Sequence, residues 1–188
     1  MRELVYYVAV SLDGYIAGPD GQFDAFLMEG DHMDGINERF ADTIPTDYAA
    51  ALGIDQSTGI FDTVLMGAGT YAAGLPEVTS PYRHLDQYVF THRRRDPVDG
   101  VTFTDRDPVE VVRELKQRKG KDIWLCGGGD LATQLADEID RFVLKRQPVM
   151  FGSGIPLMAP GRYAPRRFRR VSAHDFDTGV SFVEYAAT

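Results

Sequence analysis

The chain has 188 residues, of which 44% are hydrophobic and 26% are charged, and its formal net charge is −8. This length fits one domain over residues 1–188 with a substantial buried core. The acidic balance argues against a nucleic-acid binder, which neutralises phosphates with Lys and Arg. The single cysteine, Cys126, excludes an internal disulfide framework. A single cysteine suits a reducing compartment, and the sequence shows neither a signal peptide nor an apolar run of about 20 residues. These features predict a cytoplasmic protein.

The first half of the chain predicts several short strands and one helix. Residues 4–9 are rich in Val and Tyr and predict a buried strand. Apolar residues at three- and four-residue spacing predict a helix over 31–43, whereas residues 45–59 lack a period and predict a surface connection. Three further apolar stretches predict strands at 63–66, 87–91 and 101–103.

The second half alternates helices with strands and closes on a hairpin. Asp107 is a natural N-cap, with Pro108 at the first helical position and Glu110 at capping-box spacing, which predicts a helix that Gly120 ends. A second helix is predicted over 130–139. Strands are predicted at 123–126, 142–144 and 149–151, and a hairpin joins 168–172 to 180–185. This pattern predicts a mainly parallel sheet flanked by helices, with antiparallel strands at its C-terminal end.

The strongest local signal is a run of three glycines, Gly127, Gly128 and Gly129, between a predicted strand and a predicted helix. Glycines let the backbone approach a bulky ligand and adopt dihedrals that other residues avoid. The following helix directs free N–H groups and its positive end at the turn, so an anionic pyrophosphate is the natural occupant. The alternative is a tight strand–helix turn with Asp130 as its capping residue.

A second glycine turn, Gly67-Ala68-Gly69-Thr70, also follows a predicted strand and matches the dinucleotide pattern G-x-G-x-x-G/A. A Rossmann domain would need an acidic residue at the end of the next strand and an uninterrupted helix after the turn. Asp86 precedes its strand instead, and Pro76 and Pro81 interrupt the helix. We therefore reject a Rossmann domain and interpret the turn as a second wall of a nucleotide site.

Two polar features at strand ends allow two interpretations each. The cluster His92-Arg93-Arg94-Arg95 is either a solvated turn or a clamp for an additional phosphate, because Arg offers a forked donor that suits phosphate. Asp13 is either part of an Asp-Gly turn or a carboxylate that orients a substrate or relays a proton. A second basic cluster at 166–170 predicts a solvated strand edge.

Several other chemistries are excluded by the residues present. Zinc deaminases need paired cysteines, and the four histidines show no spacing typical of metal ligands, so no metal site is predicted. The chain lacks a P-loop lysine motif and a G-x-S-x-G elbow. Cys126 has no histidine beside it in the sequence and lies in an apolar strand, which predicts a core residue rather than a nucleophile.

Four motifs, taken in order, resemble the dihydrofolate-reductase-like family, in particular its branch related to the C-terminal reductase domain of the riboflavin-biosynthesis protein RibD. The motifs are VAVSLDGYIA at 8–17, LMGAGTY at 65–71, LCGGGDL at 125–131 and VMFGSGIPL at 149–157. Each motif is only moderately specific, but the ordered set is much more so. The likeness covers nearly the whole chain.

The resemblance implies a three-layer α/β/α fold with a mostly parallel sheet of about eight strands, NADPH as the cofactor, and commonly a homodimer. RibD-type members reduce a phosphoribosylamino-pyrimidine in riboflavin synthesis. The resemblance therefore implies a reductase that transfers a hydride to a C=N or C=O bond of a small heterocycle. No deaminase pattern accompanies it, so we expect a stand-alone reductase.

The resemblance also implies which residues line the site. It puts the pyrophosphate on the triple-glycine turn, the adenosine half near 67–70, and the nicotinamide and substrate beside the loop at 11–17. Asp13 and Tyr15 would face the substrate, with Asp13 as the candidate proton relay. The residues expected to contact the cofactor are Ala9, Ile16, Gly67, Ala68, Gly69, Thr70, Thr91, His92, Arg93, Arg94, Gly127, Gly128, Gly129, Asp130 and Leu131.

One departure from the family concerns the choice of cofactor. Members often carry Arg after the first glycine of the second motif, where this chain has Ala68. That Arg helps to hold the 2′-phosphate of NADPH, so NADH is a second candidate cofactor, and Arg93 and Arg94 are our candidates to replace the missing Arg. Two alternative functions stay open: a folate- or pterin-reducing enzyme of the same fold, and a protein that senses the dinucleotide without reducing anything.

Overall fold

Strands and helices alternate along the chain, and the computed structural model describes all residues from 1 to 188. The strands are β1 (Leu4–Val10), β2 (Tyr15–Ala17), β3 (Phe61–Gly67), β4 (Asp86–Phe90), β5 (Val101–Thr104), β6 (Asp122–Gly127), β7 (Arg141–Arg146), β8 (Ile155–Pro156), β9 (Phe168–Asp175) and β10 (Ser181–Ala187). The helices are α1 (His32–Arg39), α2 (Thr46–Leu52), α3 (Ala68–Ala72), α4 (Pro108–Gln117) and α5 (Gly129–Gln134), with a 3₁₀ turn at Ala41–Thr43. None of these helices combines the length and the apolar composition needed to cross a bilayer.

Eight strands form one sheet in the order β5-β4-β3-β6-β1-β7-β10-β9, and β2 pairs with β8 in a small separate sheet. The first six strands of this order run parallel, so their carboxyl ends share one edge. β1 lies between β6 and β7, with Tyr6 opposite Leu125 and Ala9 opposite Lys145. β10 runs antiparallel to both β7 and β9. The predicted mostly parallel sheet with a C-terminal antiparallel hairpin is confirmed.

Alternation along the strands separates two cores, one on each face of the sheet. Val5 and Tyr7 of β1 belong to the core that α1, α2 and α3 cover. Leu4 and Tyr6 of the same strand belong to the core that α4 and α5 cover. Both faces of the sheet are therefore covered, as a parallel sheet requires, and the three-layer arrangement is confirmed.

Helix α4 follows its predicted capping signal. The carboxylate of Asp107 accepts hydrogen bonds from the backbone N–H groups of Val109 (2.7 Å) and Glu110 (3.2 Å). The helix ends at Gln117, earlier than the predicted glycine stop, because Arg118 already has an extended backbone. The start of this helix is thus set by a local side-chain signal, whereas its end is not.

Two predictions for the segment between β2 and β3 are wrong in extent. The helix predicted over 31–43 ends at Arg39, because Phe40 leaves the helical conformation and its ring packs on that of Tyr7, 4.5 Å between centroids. Residues 45–59 are not an irregular connection, since they contain α2. Ala49 is the only buried residue of this helix, so the segment carries no apolar period that would have revealed it.

Two further predictions are wrong around the third and fourth motifs. The helix predicted over 130–139 begins at Gly129 and ends at Gln134, after which the chain turns and buries Ile139. The strand predicted at 149–151 is absent. Its N–H groups do not join a ladder, because the N–H of Phe151 donates to the carboxylate of Asp13 instead.

Candidate functional site

Three of the four sequence motifs meet at the carboxyl edge of the parallel strands. The loop after β1 leads into β2, which pairs with β8 of the fourth motif. The N–H of Leu157 donates to the carbonyl of Gly14 (2.9 Å), and the N–H of Ala159 donates to the carbonyl of Gly129 (3.2 Å). The first, third and fourth motifs are therefore in direct contact, although they lie far apart in the chain.

The second motif joins them because β3 and β6 are neighbours, which places the two glycine turns side by side. A β-carbon added to Gly67 would lie 3.4 Å from the backbone nitrogen of Gly128. A β-carbon on Gly127 would lie 3.3 Å from the hydroxyl oxygen of Thr70 and 3.9 Å from Cδ1 of Ile16. Backbone from both turns, the Thr70 hydroxyl and the Ile16 side chain thus line one crevice, which we call the glycine crevice.

The glycine crevice is built from backbone that larger residues would fill. Gly127 has a φ of +145°, a conformation that L side chains rarely adopt. Gly69 has nothing within 4 Å of the position that a β-carbon would take. The N–H of Gly128 donates no hydrogen bond within the chain. The crevice can therefore hold an elongated anionic group against bare backbone and free N–H groups.

Helix α5 contributes backbone rather than side chains to this crevice. Its N-cap position is Gly128, and no side chain caps it. Asp130 is exposed in the first turn, so the alternative in which Asp130 caps the helix is wrong. The side chain of Leu131 is buried in the core, which leaves only its backbone N–H near the turn.

Asp13 joins the loop after β1 to the loop after β7. Its carboxylate accepts hydrogen bonds from the Ser11 hydroxyl (2.6 Å) and from the backbone N–H groups of Phe151 (3.1 Å) and Gly152 (2.7 Å). These donors, the Ser11 hydroxyl first among them, lower the pKa of Asp13 to about 2. The carboxylate is ionised at neutral pH and already bonded, which describes an anchor. Its predicted role as a proton relay stays a prediction.

The other residues predicted on the substrate side lie on β1 and β2. Ala9 is half-buried on β1, directly opposite Lys145 of β7. The N–H of Tyr15 donates to the Ser11 hydroxyl (2.9 Å), and the Tyr15 side chain is half-buried. Ile16 is next in the chain and faces Gly127, so the loop after β1 borders the glycine crevice.

The predicted basic cluster lies at the carboxyl end of β4, the strand beside β3. The N–H of Thr91 donates to the carbonyl of Thr104 (2.9 Å), and the Thr91 hydroxyl accepts from the N–H of Arg93 (3.1 Å). His92, Arg93 and Arg94 are exposed and take part in none of the ion pairs of the chain. Arg94 also lines a groove of about 470 Å³ beside α3. The cluster therefore reaches the same edge of the sheet as the second glycine turn.

Lys145 is not among the residues predicted from the sequence; its ammonium nitrogen lies 4.3 Å from the centroid of the Tyr7 ring. Burial lowers the pKa of Lys145 to about 8. Burial also raises the pKa of the neighbouring Cys126 thiol to about 12, against the opposing effects of Lys145 and Tyr82. Cys126 is thus a neutral thiol, although part of it reaches the surface. A signal for Lys145 was nevertheless present in the sequence. Side chains alternate along a strand, so Lys145 shares a covered face of the sheet with Val143.

The fold and the crevice define an α/β protein whose candidate ligand site lies at the carboxyl edge of a parallel sheet, where the turns after two neighbouring strands meet. The chain belongs to the RibD C-terminal domain family, whose sequence model matches residues 2–182. The family resemblance of the four motifs is thereby confirmed.

Two proteins of Bacillus subtilis (strain 168) are similar to this chain over most of its length. YwjB is 35% identical over 161 residues, which cover 83% of this chain and 82% of YwjB. YyaP is 26% identical over 198 residues, which cover 98% of this chain and 94% of YyaP. Both relatives are named as uncharacterized proteins.

Two solved structures have the same fold. A protein from Shewanella sp. PV-4, named for riboflavin biosynthesis, superposes with a TM-score of 0.71 at 21% identity, covering 100% of this chain and 99% of its own. The diaminohydroxyphosphoribosylaminopyrimidine deaminase/5-amino-6-(5-phosphoribosylamino)uracil reductase of Thermotoga maritima superposes with a TM-score of 0.66 at 18% identity, covering 100% of this chain. This chain spans 57% of the Thermotoga protein. At these identities the likeness shows the fold.

Proposed function

We propose that this protein is an NADPH-dependent reductase that transfers a hydride to a C=N or C=O bond of a small heterocyclic substrate. The observation that carries the proposal is the glycine crevice, in which bare backbone after two neighbouring strands faces the Thr70 hydroxyl. Membership of the RibD C-terminal domain family supports it. The proposed substrate resembles 5-amino-6-(5-phosphoribosylamino)uracil, which the Thermotoga protein is named for reducing. We propose, on the strength of this relationship, that the protein acts in riboflavin biosynthesis.

The glycine crevice fits the pyrophosphate of a dinucleotide. Gly127 and Gly128 keep side chains out of the crevice, Gly129 lets the backbone of Pro156 pack directly on the turn, and the N–H of Gly128 is free to donate. The N–H groups of Asp130 and Leu131, at the start of α5, add to the positive end of the helix. When NADPH is bound it supplies the hydride, and the chain supplies position and electrostatics.

The second glycine turn and the end of β4 fit the adenosine half. In our proposal Gly69, Thr70 and Thr91 contact the adenosine, while Arg93 and Arg94 bind the 2′-phosphate that distinguishes NADPH from NADH. Both arginines are exposed and free of carboxylate partners, so binding a phosphate breaks no existing ion pair. The replacement of the usual Arg by Ala68 makes these two side chains decisive for the cofactor preference.

The loop after β1 fits the nicotinamide and substrate end of the site. Ala9 and Ile16 border the crevice next to the glycine turn, and Tyr15 belongs to the same loop. Asp13 holds this loop against the loop after β7 through its bonds to Phe151 and Gly152. We propose that its first role is to keep the loop in place beside the substrate.

We propose further that the protein acts in the cytoplasm as a homodimer. The single cysteine supports a reducing compartment, and homodimers are common among the RibD-type reductases that the motifs resemble. Light scattering coupled to gel filtration tests the dimer at working concentration. A mass equal to one chain of 20.9 kDa would contradict it.

Cofactor binding is best tested through Trp124, the only tryptophan of the chain. It lies on β6 close to the triple glycine, and its indole N–H donates to the carbonyl of Tyr7 (2.9 Å). Titration with NADPH should quench its emission, because reduced nicotinamide absorbs where tryptophan emits. NADH should do so only at higher concentration. Unchanged emission, together with no heat of binding in calorimetry, would contradict the proposal.

Turnover then separates the proposed function from its two alternatives. Loss of NADPH absorbance with 5-amino-6-(5-phosphoribosylamino)uracil supports the proposed reductase. Loss with dihydrofolate alone, inhibited by methotrexate-like compounds, would support the folate-reducing alternative. Tight NADPH binding without oxidation by any pyrimidine, pterin or quinone acceptor would support the dinucleotide sensor instead.

A further inference from the structure

Lys145 lies in a setting that a structural lysine rarely occupies. On β7 it is flanked by Ala9 of β1 and Phe182 of β10. Its ammonium nitrogen lies 4.3 Å from the centroid of the Tyr7 ring, and its side chain is half-buried. A cation over an aromatic face is stabilised by the ring, but only modestly.

The ammonium of Lys145 has no anionic partner in the chain. It takes part in none of the ion pairs and donates none of the side-chain hydrogen bonds. The other lysines with partners differ: half-buried Lys116 pairs with Glu138 and Asp140, and exposed Lys121 donates to backbone carbonyls. Holding a half-buried ammonium without a charged partner is unfavourable, and lysines are seldom buried unless they are paired. Apart from the ring of Tyr7, this ammonium has no partner in the chain, which leaves it free to bind a ligand.

The groups that face Lys145 do not supply a negative charge. From β6 it faces the Cys126 thiol, whose pKa burial raises to about 12. From β1 it faces Tyr7, and the loop before β4 brings Tyr82 to Cys126; burial raises the pKa of both phenols. β10 presents the apolar Phe182 opposite Lys145, and Glu184 on the same face of that strand pairs with Arg39 and Arg141 instead. The thiol and the two phenols are neutral near pH 7, and burial lowers the pKa of Lys145 to about 8 against a weaker opposing effect of Cys126.

Lys145 also lies at the proposed substrate end of the site. Its neighbour on β1 is Ala9, which lies just before the loop after β1. Cys126, which faces Lys145, is followed directly by Gly127. Gly127 in turn faces Ile16. One ammonium without a counterion thus borders the place where the loop after β1 and the glycine crevice meet.

We propose that Lys145 is the substrate-facing acid of this site: its ammonium donates a hydrogen bond to the acceptor atom of the C=N or C=O bond and releases a proton to that atom when the bond is reduced. This proposal rests on the proposed reductase function. The carbon gains a hydride from NADPH, which leaves as NADP⁺, and the nitrogen or oxygen gains the Lys145 proton. The neutral amine then recovers its proton from water. An acid that titrates near the working pH suits this transfer.

The first test observes Lys145 directly and needs no turnover. The chain has four lysines, so lysine labelled with ¹⁵N at Nζ gives few ammonium signals. With NADP⁺ present, 5-amino-6-(5-phosphoribosylamino)uracil should shift the Lys145 signal and leave that of exposed Lys119 in place. If Trp124 emission reports cofactor binding and the Lys145 signal does not move with the pyrimidine, the Lys145 proposal fails while the cofactor site stands. If neither responds, both proposals fail.

The second test compares Lys145→Met, Lys145→Arg and the control Lys119→Met. Met keeps the length without the charge, and Arg keeps the charge but does not release a proton near neutral pH. NADPH binding, followed by Trp124 emission, should match the wild type in all three variants. Both Lys145 variants should lose about 10²–10⁴-fold in kcat, and only Met should also raise KM for the pyrimidine.

The pH profile separates proton donation from a structural role. Activity of the wild type should fall above about pH 8 as Lys145 loses its proton, and this limb should be absent from the residual activity of Lys145→Arg. Lys119→Met should keep the wild-type profile. Retention of full kcat by Lys145→Met, or of the alkaline limb by Lys145→Arg, would overturn the proposal. Should Lys145→Met fail to fold, the arginine variant and the NMR titration still show whether Lys145 donates the proton.

Discussion

The hydroxyl of Thr70 lies against the backbone of Gly127: a β-carbon placed on Gly127 would sit 3.3 Å from the Thr70 oxygen. The two residues belong to different motifs and meet only because β3 and β6 are adjacent in the sheet. Through this contact the two glycine turns, each a weak signal by itself, line one crevice together.

Gly69→Ala should separate cofactor binding from stability. Nothing lies within 4 Å of the added methyl group, and Ala is favoured over Gly in a helix by about 0.5–1 kcal/mol, so the melting temperature should hold or rise slightly. The methyl group enters the space that we assign to the cofactor, and the Kd for NADPH should rise about tenfold, or 1.4 kcal/mol. Calorimetric titration measures the change. Unaltered affinity would show that the cofactor does not contact this turn.

Gly129→Ala, in contrast, should lower the stability of the fold. Its β-carbon would overlap the carbonyl oxygen of Pro156, a backbone atom that cannot turn aside. We expect a loss of about 1–3 kcal/mol in the free energy of unfolding, measured by urea denaturation. Gly69→Ala serves as the matched control, because it adds the same methyl group to open space. A Gly129→Ala protein as stable as the wild type would mean that β8 does not pack on this turn.

Asp13→Asn should reduce stability at neutral pH but not at low pH. The pKa of Asp13 is lowered to about 2, so the stabilisation by its ionised form is complete above the ordinary carboxyl pKa and is lost as the pH falls towards 2. An amide also cannot accept from Ser11, Phe151 and Gly152 in the same way. The difference in melting temperature between variant and wild type should therefore shrink between pH 6 and pH 2.5. A difference independent of pH would argue against an ionised anchor.

The same carboxylate can be examined for the predicted proton relay. With a pKa of about 2, Asp13 stays ionised from pH 5 to 9 and contributes no limb to a rate profile there. We expect Asp13→Asn to lower kcat while leaving the shape of the profile unchanged. Disappearance of a limb in that range would instead identify Asp13 as the group that relays the proton.

Replacing Arg93 and Arg94 together by Ala should weaken NADPH binding selectively. Charge-assisted hydrogen bonds to a phosphate contribute about 1.5–3 kcal/mol, so the Kd for NADPH should rise at least tenfold while that for NADH stays constant. Arg169 and Arg170, exposed on the edge strand β9, provide a control pair with the same loss of charge. Equal weakening of both cofactors, or an equal effect of the control pair, would defeat the assignment.

Much of the fold could be predicted from local patterns. Short runs of apolar residues marked β1, β3, β4 and β6, and Asp107 with Pro108 marked the start of α4, because these signals act within a few residues. The ends of α1 and α5 could not be predicted. Phe40 leaves α1 to pack on Tyr7, and Ile139 is buried after α5 has ended, and both outcomes depend on distant parts of the chain.

The sequence by itself determined which residues could form a ligand site: the glycines at two strand ends, Thr70, Asp13 and the arginines after β4. The tertiary structure decided which of them meet. Strand order put the Gly67 turn beside the Gly127 turn, bound Asp13 to a loop that the sequence does not connect with it, and left Lys145 without a counterion. The reason is physical: glycine and capping preferences are properties of short segments, whereas contacts between strand ends and the burial of a charge exist only once the sheet has assembled.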